Sequence, residues 1–163
     1  MIMKSLLALV LLTYTRVGSA KQEMDPTLYE AQLYHASFPK PETVYIPDDR
    51  SLAAPAEVSR WVDNASKGIE ALSFPRKEKG ALIFAVRIPR PTADTRLFTV
   101  ELVYTDTVLI EATKKRCLVD LYSNKRIERY SKRSDLEPAI QETVRKLVAV
   151  FRKYLERANR WKG

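Results

Sequence analysis

A single cysteine, a single histidine and only four glycines in 163 residues close off most of the familiar routes to chemistry. One cysteine excludes an internal disulfide, so the fold must be held by its core. One histidine and one cysteine fall short of a closed zinc site, and no Asp/Glu cluster has calcium-loop spacing. With so few glycines there is no phosphate-cradling loop. A pair of His35 and Cys117 would satisfy nucleophilic catalysis on paper, but neither residue lies in a segment that resembles a nucleophile motif. Asp48 and Asp49 are adjacent; in an extended segment their carboxylates diverge, which suits a turn or cap better than paired acid–base work. The expectation is a protein without enzymatic activity, metal or cofactor. Long apolar runs are missing too, since Leu6–Leu12 is too short to span a bilayer.

That short run has a different meaning in its context. A charged start at Met1–Lys4, the apolar Leu6–Leu12 and the small residues Gly18, Ser19 and Ala20 make the pattern of a secretory signal peptide. Cleavage after Ala20 predicts a periplasmic or secreted chain with no stable membrane span. Bases outnumber acids, 28 to 20. Residues 1–20 carry Lys4 and Arg16 and no acid, which leaves 26 against 20 and a net charge of +6. In an exported protein this excess matches an anionic envelope surface or an acidic protein partner rather than nucleic acid, and it also keeps a solvated surface soluble. The organisation expected is a signal peptide over 1–20, an N-terminal arm over 21–50 that can belong to the domain, and an α+β domain over 51–163.

The strongest periodicity lies at the C-terminus. Leu136, Ile140, Val144, Leu147, Val148, Phe151, Leu155 and Ala158 recur at spacings of three and four, with Tyr154 and Trp161 on one shoulder. Ser134 and Glu137 read as a capping box that starts this long helix. A second helix begins at Pro55 and places Val58, Trp61, Val62, Ala65, Ile69 and Leu72 on one face. A shorter one is expected from Asp25-Pro26. Between the two main helices the period changes to two. Ala81–Ile88, Leu97–Tyr104, Val108–Thr113, Cys117–Tyr122 and Arg126–Ser131 read as strands, with Ser123-Asn124-Lys125 as a turn. Thr43–Ile46, between prolines, reads as an edge strand. The fold class expected is α+β: an antiparallel sheet of four or five strands, two helices packed on one face, and a long C-terminal helix. Cys117 is expected as a small buried strand residue, with pairing to a second chain or reactivity as the alternatives.

The candidate partner-binding residues are basic. Lys114, Lys115, Arg116, Lys125, Arg126, Arg129, Lys132 and Arg133 would gather near the turns at one end of such a sheet. There they would form a docking surface, or else protect the hairpin ends and an edge strand by charge. Aromatic residues of the N-terminal arm, Tyr29, Tyr34, Phe38 and Tyr45, are either interface anchors or pins to their own domain. The edge of the sheet can pair with a second copy, giving a homodimer.

The succession of an alternating strand, the segment Cys117-Leu118-Val119-Asp120-Leu121-Tyr122-Ser123-Asn124-Lys125-Arg126-Ile127-Glu128-Arg129 and a long helix from Ser134 resembles small periplasmic accessory proteins of the ABC-transport auxiliary type. It covers roughly residues 80–160. The resemblance implies a protein partner in the cell envelope and brings no catalytic residues. The acylated cysteine of the lipoprotein members has no counterpart after the signal here. Two functions are therefore expected in order: an exported accessory or assembly factor acting by protein–protein contact, and an inhibitor or immunity-type protein that blocks a secreted enzyme.

Overall fold

The apolar stripe of the C-terminal helix finds its partner in the strands that precede it. The computed structural model describes residues 33, 35–48, 52–75, 79–92, 95–110 and 112–160. The signal segment, the helix expected at Asp25-Pro26, Tyr29, Tyr34 and Trp161 lie outside these. In chain order the elements are β1 (Glu42–Pro47), α1 (Pro55–Ala65), a 3-10 turn (Ile69–Leu72), β2 (Ala81–Ile88), β3 (Leu97–Ile110), β4 (Lys115–Arg129), a second 3-10 turn (Arg133–Asp135) and α2 (Leu136–Arg160). The four strands form one sheet in the order β1-β2-β3-β4. Both helices lie on one face, which makes the fold α+β.

All eight stripe residues of α2 from Leu136 to Ala158 are buried. They meet Leu82, Phe84, Val86 and Ile88 of β2 and Phe98, Val100, Leu102 and Tyr104 of β3, which are buried as strictly as an alternating strand allows. Leu82 stands opposite Tyr104, Phe84 opposite Leu102 and Val86 opposite Val100, so the apolar positions of the two strands share one face. α1 starts with Pro55 at its first position, where a missing N–H costs nothing. The Ala54 N–H donates to Glu57 Oε2 at 2.8 Å. Val58, Trp61 and Val62 face inward.

Three expectations need correction. The sheet is mixed, because β1 runs parallel to β2. The connection from Pro47 to Ala81 carries α1 and is long enough for the crossover that parallel strands require. The strand count among the described residues is four, within the four or five expected, but the strand bounds differ: the segments read as Leu97–Tyr104 and Val108–Thr113 fall on one strand, and Cys117–Tyr122 and Arg126–Ser131 on another. Ser123-Asn124-Lys125 is mid-strand, opposite Val103, Leu102 and Glu101; the chain reverses at residues 112–114, where Lys114 takes φ +53°. Finally, α2 is not capped by Ser134 and Glu137. A 3-10 turn precedes it, and the Asp135 carboxylate accepts the Lys132 N–H at 3.2 Å, while Glu137 accepts from Gln141 at 3.2 Å. The tighter turn puts Asp135 where the capping carboxylate is needed.

The segment before β1 belongs to this core. Leu33, Ala36 and Phe38 are buried. The Phe38 N–H donates to Ser73 Oγ at 2.8 Å and the Phe74 N–H to the Ala36 carbonyl at 2.8 Å, so the chain is stitched along the stretch leading into β2. Of the arm aromatics within the described residues, Phe38 is wholly inside the core and Tyr45 packs against it.

Candidate interaction surface

Two strands outrun the rest of the sheet. β2 begins at Ala81, opposite Thr105, whereas β3 continues to Ile110 and pairs with β4 back to Lys115. Among the described residues, Asp106–Ile110 and Lys115–Val119 therefore pair only with each other, as a ribbon about 17 Å long at roughly 3.4 Å per residue. Beyond Asp106, none of its residues is buried. Val108, Ile110, Cys117 and Val119 lie on one face and Leu109 and Leu118 on the other, and Leu118 is 70% exposed and Leu109 49%. At the tip stand Lys114, Lys115 and Arg116, all exposed. Cys117, expected in the core, is half-buried on this ribbon, because it lies beyond the reach of the helices.

The ribbon is fixed at its base by a buried polar network. The Tyr104 hydroxyl donates to Asp106 Oδ2 at 2.8 Å and accepts the Ser37 N–H at 3.2 Å. Asp106 Oδ1 accepts the Thr107 N–H at 2.7 Å. The Ser37 carbonyl in turn accepts the Gly80 N–H at 2.7 Å. Burying a carboxylate is costly unless it is hydrogen-bonded, and Asp106, 6% exposed, holds both the tyrosine and its own strand. Beside this network the pairing of β3 and β4 shifts: Tyr104 opposes Tyr122, Thr105 opposes Asp120, and Leu121 is left without an opposite residue. Such a bulge bends and twists a ribbon away from its sheet. Tyr104→Phe removes the hydroxyl at the centre of the network and is expected to cost about 1–3 kcal/mol in urea unfolding. A loss no greater than that of Tyr154→Phe would show that the network contributes nothing.

The basic residues fall into separate groups. Lys114, Lys115 and Arg116 mark the ribbon tip. Lys125 lies nine positions further along β4, about 30 Å away at the strand rise, and with Arg129 it points to the face without helices. Arg126 points to the helix side, and its buried Nε has no hydrogen-bond partner. Lys132 and Arg133 are in the turn before α2, where Arg133 lines a cleft of about 300 Å³ with Leu52, Glu57, Trp61, Ser134 and Glu137. The positive charge is spread along the whole length of β4.

The sheet face opposite the helices also carries apolar residues. Val44, Ile46 and Ile127 are 44%, 49% and 62% exposed, with Ile83, Ala85, Leu97 and Val103 half-buried between them. The surfaces that sequence reasoning missed are thus apolar rather than basic. Their signal was present in Val108–Ile110 and Cys117–Val119, where both alternating sets contain apolar residues, so that no single covering layer can bury them.

The candidate nucleophile and base belong to different parts of the fold. His35, at φ +58°, stacks on Phe74 with ring centroids 4.0 Å apart, and Cys117 is on the ribbon. A second cleft, of about 530 Å³, lies between Pro41 and α1, with Lys40 and Asp63 paired across it at 2.6 Å. No group of three or more His, Cys, Asp or Glu among the described residues is placed to hold a metal ion, and no described helix is long and apolar enough to cross a membrane. Protein-family models, curated proteins and solved structures give no match to this chain.

Proposed function

We propose that this protein is exported and acts without catalysis, by protein–protein contact in the cell envelope, as an accessory or assembly factor whose contact element is the β3–β4 ribbon. The observation that carries this reading is the ribbon itself: a projection anchored by the buried Tyr104–Asp106 bond, with Leu109, Ile110 and Leu118 exposed and three cationic side chains at its tip. Apolar side chains on a projecting element add area at an interface, while the cations steer an acidic partner. The signal-peptide pattern of residues 1–20 supports export. A second reading, an inhibitor that blocks a secreted enzyme, draws on the same shape, since a two-stranded projection is narrow enough to enter a cleft.

Affinity capture from an envelope fraction at low and at moderate salt tests it. The purified chain is compared with a Leu109→Ser/Ile110→Ser variant, whose changes fall at exposed positions of the ribbon and should leave the unfolding midpoint unmoved. A partner retained at moderate salt by the parent and lost by the variant is expected. Transport or assembly components would favour the accessory role, and one stoichiometric exported enzyme the inhibitor role. Equal capture by both chains sinks the ribbon as contact element.

A further inference from the structure

β4 is an edge strand of an unusual kind. It is 15 residues long, lies at one end of the strand order among the described residues, and contains no proline. Natural edges are normally short, interrupted or covered, because a long row of unpaired N–H and C=O groups recruits another strand. The charges of β4 are also of both signs, with Asp120 and Glu128 among the bases.

We infer that β4 pairs antiparallel with β4 of a second copy, about a two-fold axis at Ser123, to make a continuous eight-stranded sheet. The bulge selects this register. Because Leu121 has no opposite residue, the residues facing away from the helices are Arg116, Leu118 and Asp120 before it and Ser123, Lys125, Ile127 and Arg129 after it. A strand of this pattern, paired with itself about its centre, keeps like faces together only when each pair that joins a residue before the bulge to one after it has residue numbers adding to an odd total.

Among those registers, one sets Leu118 opposite Ile127 and Asp120 opposite Lys125, each twice by symmetry. Leu118 and Ile127 are the most exposed large apolar residues described, at 70% and 62%. Neither Asp120 nor Lys125 makes an ion pair within the described chain. Lys125 does stand opposite Glu101, but that carboxylate accepts the Ser123 hydroxyl at 2.7 Å. Sliding two residues either way replaces these pairs by Leu118 with Lys125, or by Leu118 with Arg129 and Asp120 with Ile127. Cross-strand partners of this kind decide register in a sheet. The chosen register also sets Arg116 opposite Arg129, at the two outer ends of the paired segment, where water and salt screen the repulsion. The inference goes beyond the proposed function: Leu109, Ile110 and Lys115, at opposite ends of the dimer, lie outside the paired segment, where another partner can meet them.

The test is sedimentation equilibrium from about 1 to 100 µM together with directed cross-linking. The register sets Cys117 opposite Glu128 of the other copy and leaves the two Cys117 residues eleven positions, about 37 Å, apart. Glu128→Cys is expected to give a covalent dimer under mild oxidation. The parent chain and the Cys117→Ser/Glu128→Cys variant are expected to give none. Leu118→Lys, at a position too exposed to affect folding, is expected to weaken dimerisation at least tenfold, and Arg116→Glu to strengthen it several-fold. A monomer throughout the concentration range, or a dimer that cross-links equally well without Cys117, overturns the inference and leaves the edge to a strand of a different protein. Because the tip variant Leu109→Ser/Ile110→Ser lies outside the paired segment, loss of the dimer and loss of the captured partner are separate results.

Discussion

Gly80→Ala is expected to lower the free energy of unfolding by about 3 kcal/mol, the upper part of the range for forcing one carbon into a filled space. A Cβ built on Gly80 would overlap the carbonyl oxygen of Thr105 and lie 2.8 Å from Cε2 and 2.9 Å from the hydroxyl of Tyr104. None of these can yield cheaply. Thr105 is at the bulge, its backbone held between β2 and β4. Tyr104 is wholly buried and tied to Asp106. Gly80 itself cannot retreat without losing its 2.7 Å bond to the Ser37 carbonyl. In a chain of this length the loss corresponds to a fall in Tm of roughly 6–12 °C, at about 2–4 °C per kcal/mol. Gly68 is the internal control. Its φ of +81° favours glycine, but a Cβ there would meet nothing within 4 Å, so Gly68→Ala should cost only the left-handed backbone preference, about 1–2 kcal/mol. Measured side by side by urea unfolding, Gly80→Ala must be the more damaging of the two. The reverse order would mean that the close approach of Gly80 to the bulge does not exist.

What is legible in the sequence and what is not divides along a physical line. The stripe from Leu136 to Ala158 and the alternation from Phe98 to Tyr104 were legible because each depends only on the local period of one element. So was the start of α1, where Pro55 needs no N–H partner. Pairing between distant segments was not. Nothing in Thr43–Ile46 says that its neighbour is Phe84–Arg87 running in the same direction; that follows from the crossover through α1.

The turn expected at Ser123-Asn124-Lys125 had the larger consequence. Serine and asparagine favour turns when nothing opposes them, but here Asn124 and Ser123 stand opposite Leu102 and Val103. The ladder supplied by β3 overrides a preference worth a fraction of a kcal/mol. Reading a turn there folds Lys114–Arg116 and Lys125–Arg129 back to one end of the sheet; reading one continuous strand moves them about 30 Å apart. The same error hid the ribbon, since four short strands stay within the cover of the helices while two long ones outrun it. The half-exposed Cys117 is the visible result.

Phe151→Ala is expected to have the largest effect of any single truncation, about 4 kcal/mol, within the 3–5 kcal/mol typical of deleting a buried aromatic ring. Phe151 has no exposed surface, and three parts of the chain converge on it. Its ring lies 4.8 Å from that of Tyr122 on β4, 6.0 Å from Phe38 of the segment before β1 and 6.4 Å from Tyr104 on β3. Edge and tilted contacts of this kind add to the area that each ring removes from water. The resulting cavity cannot collapse easily, because Tyr104 is held by Asp106 and Ser37 and Phe38 by Ser73. A domain of ordinary stability, about 5–15 kcal/mol, would lose a quarter or more of its margin. The measurement is the urea midpoint of Phe151→Ala against that of Phe151→Leu, which keeps much of the volume and should recover about half of the loss. Hydrogen exchange adds a local readout, since the Ser37 and Phe38 amides should lose protection before those of β2. A cost below about 1.5 kcal/mol, or unchanged protection at Ser37 and Phe38, would mean that α2 does not seat on the sheet at this residue. The helix register that aligns Phe151 with Tyr104 and Tyr122 would then be wrong by a turn, and with it the cover that leaves the β3–β4 ribbon standing clear.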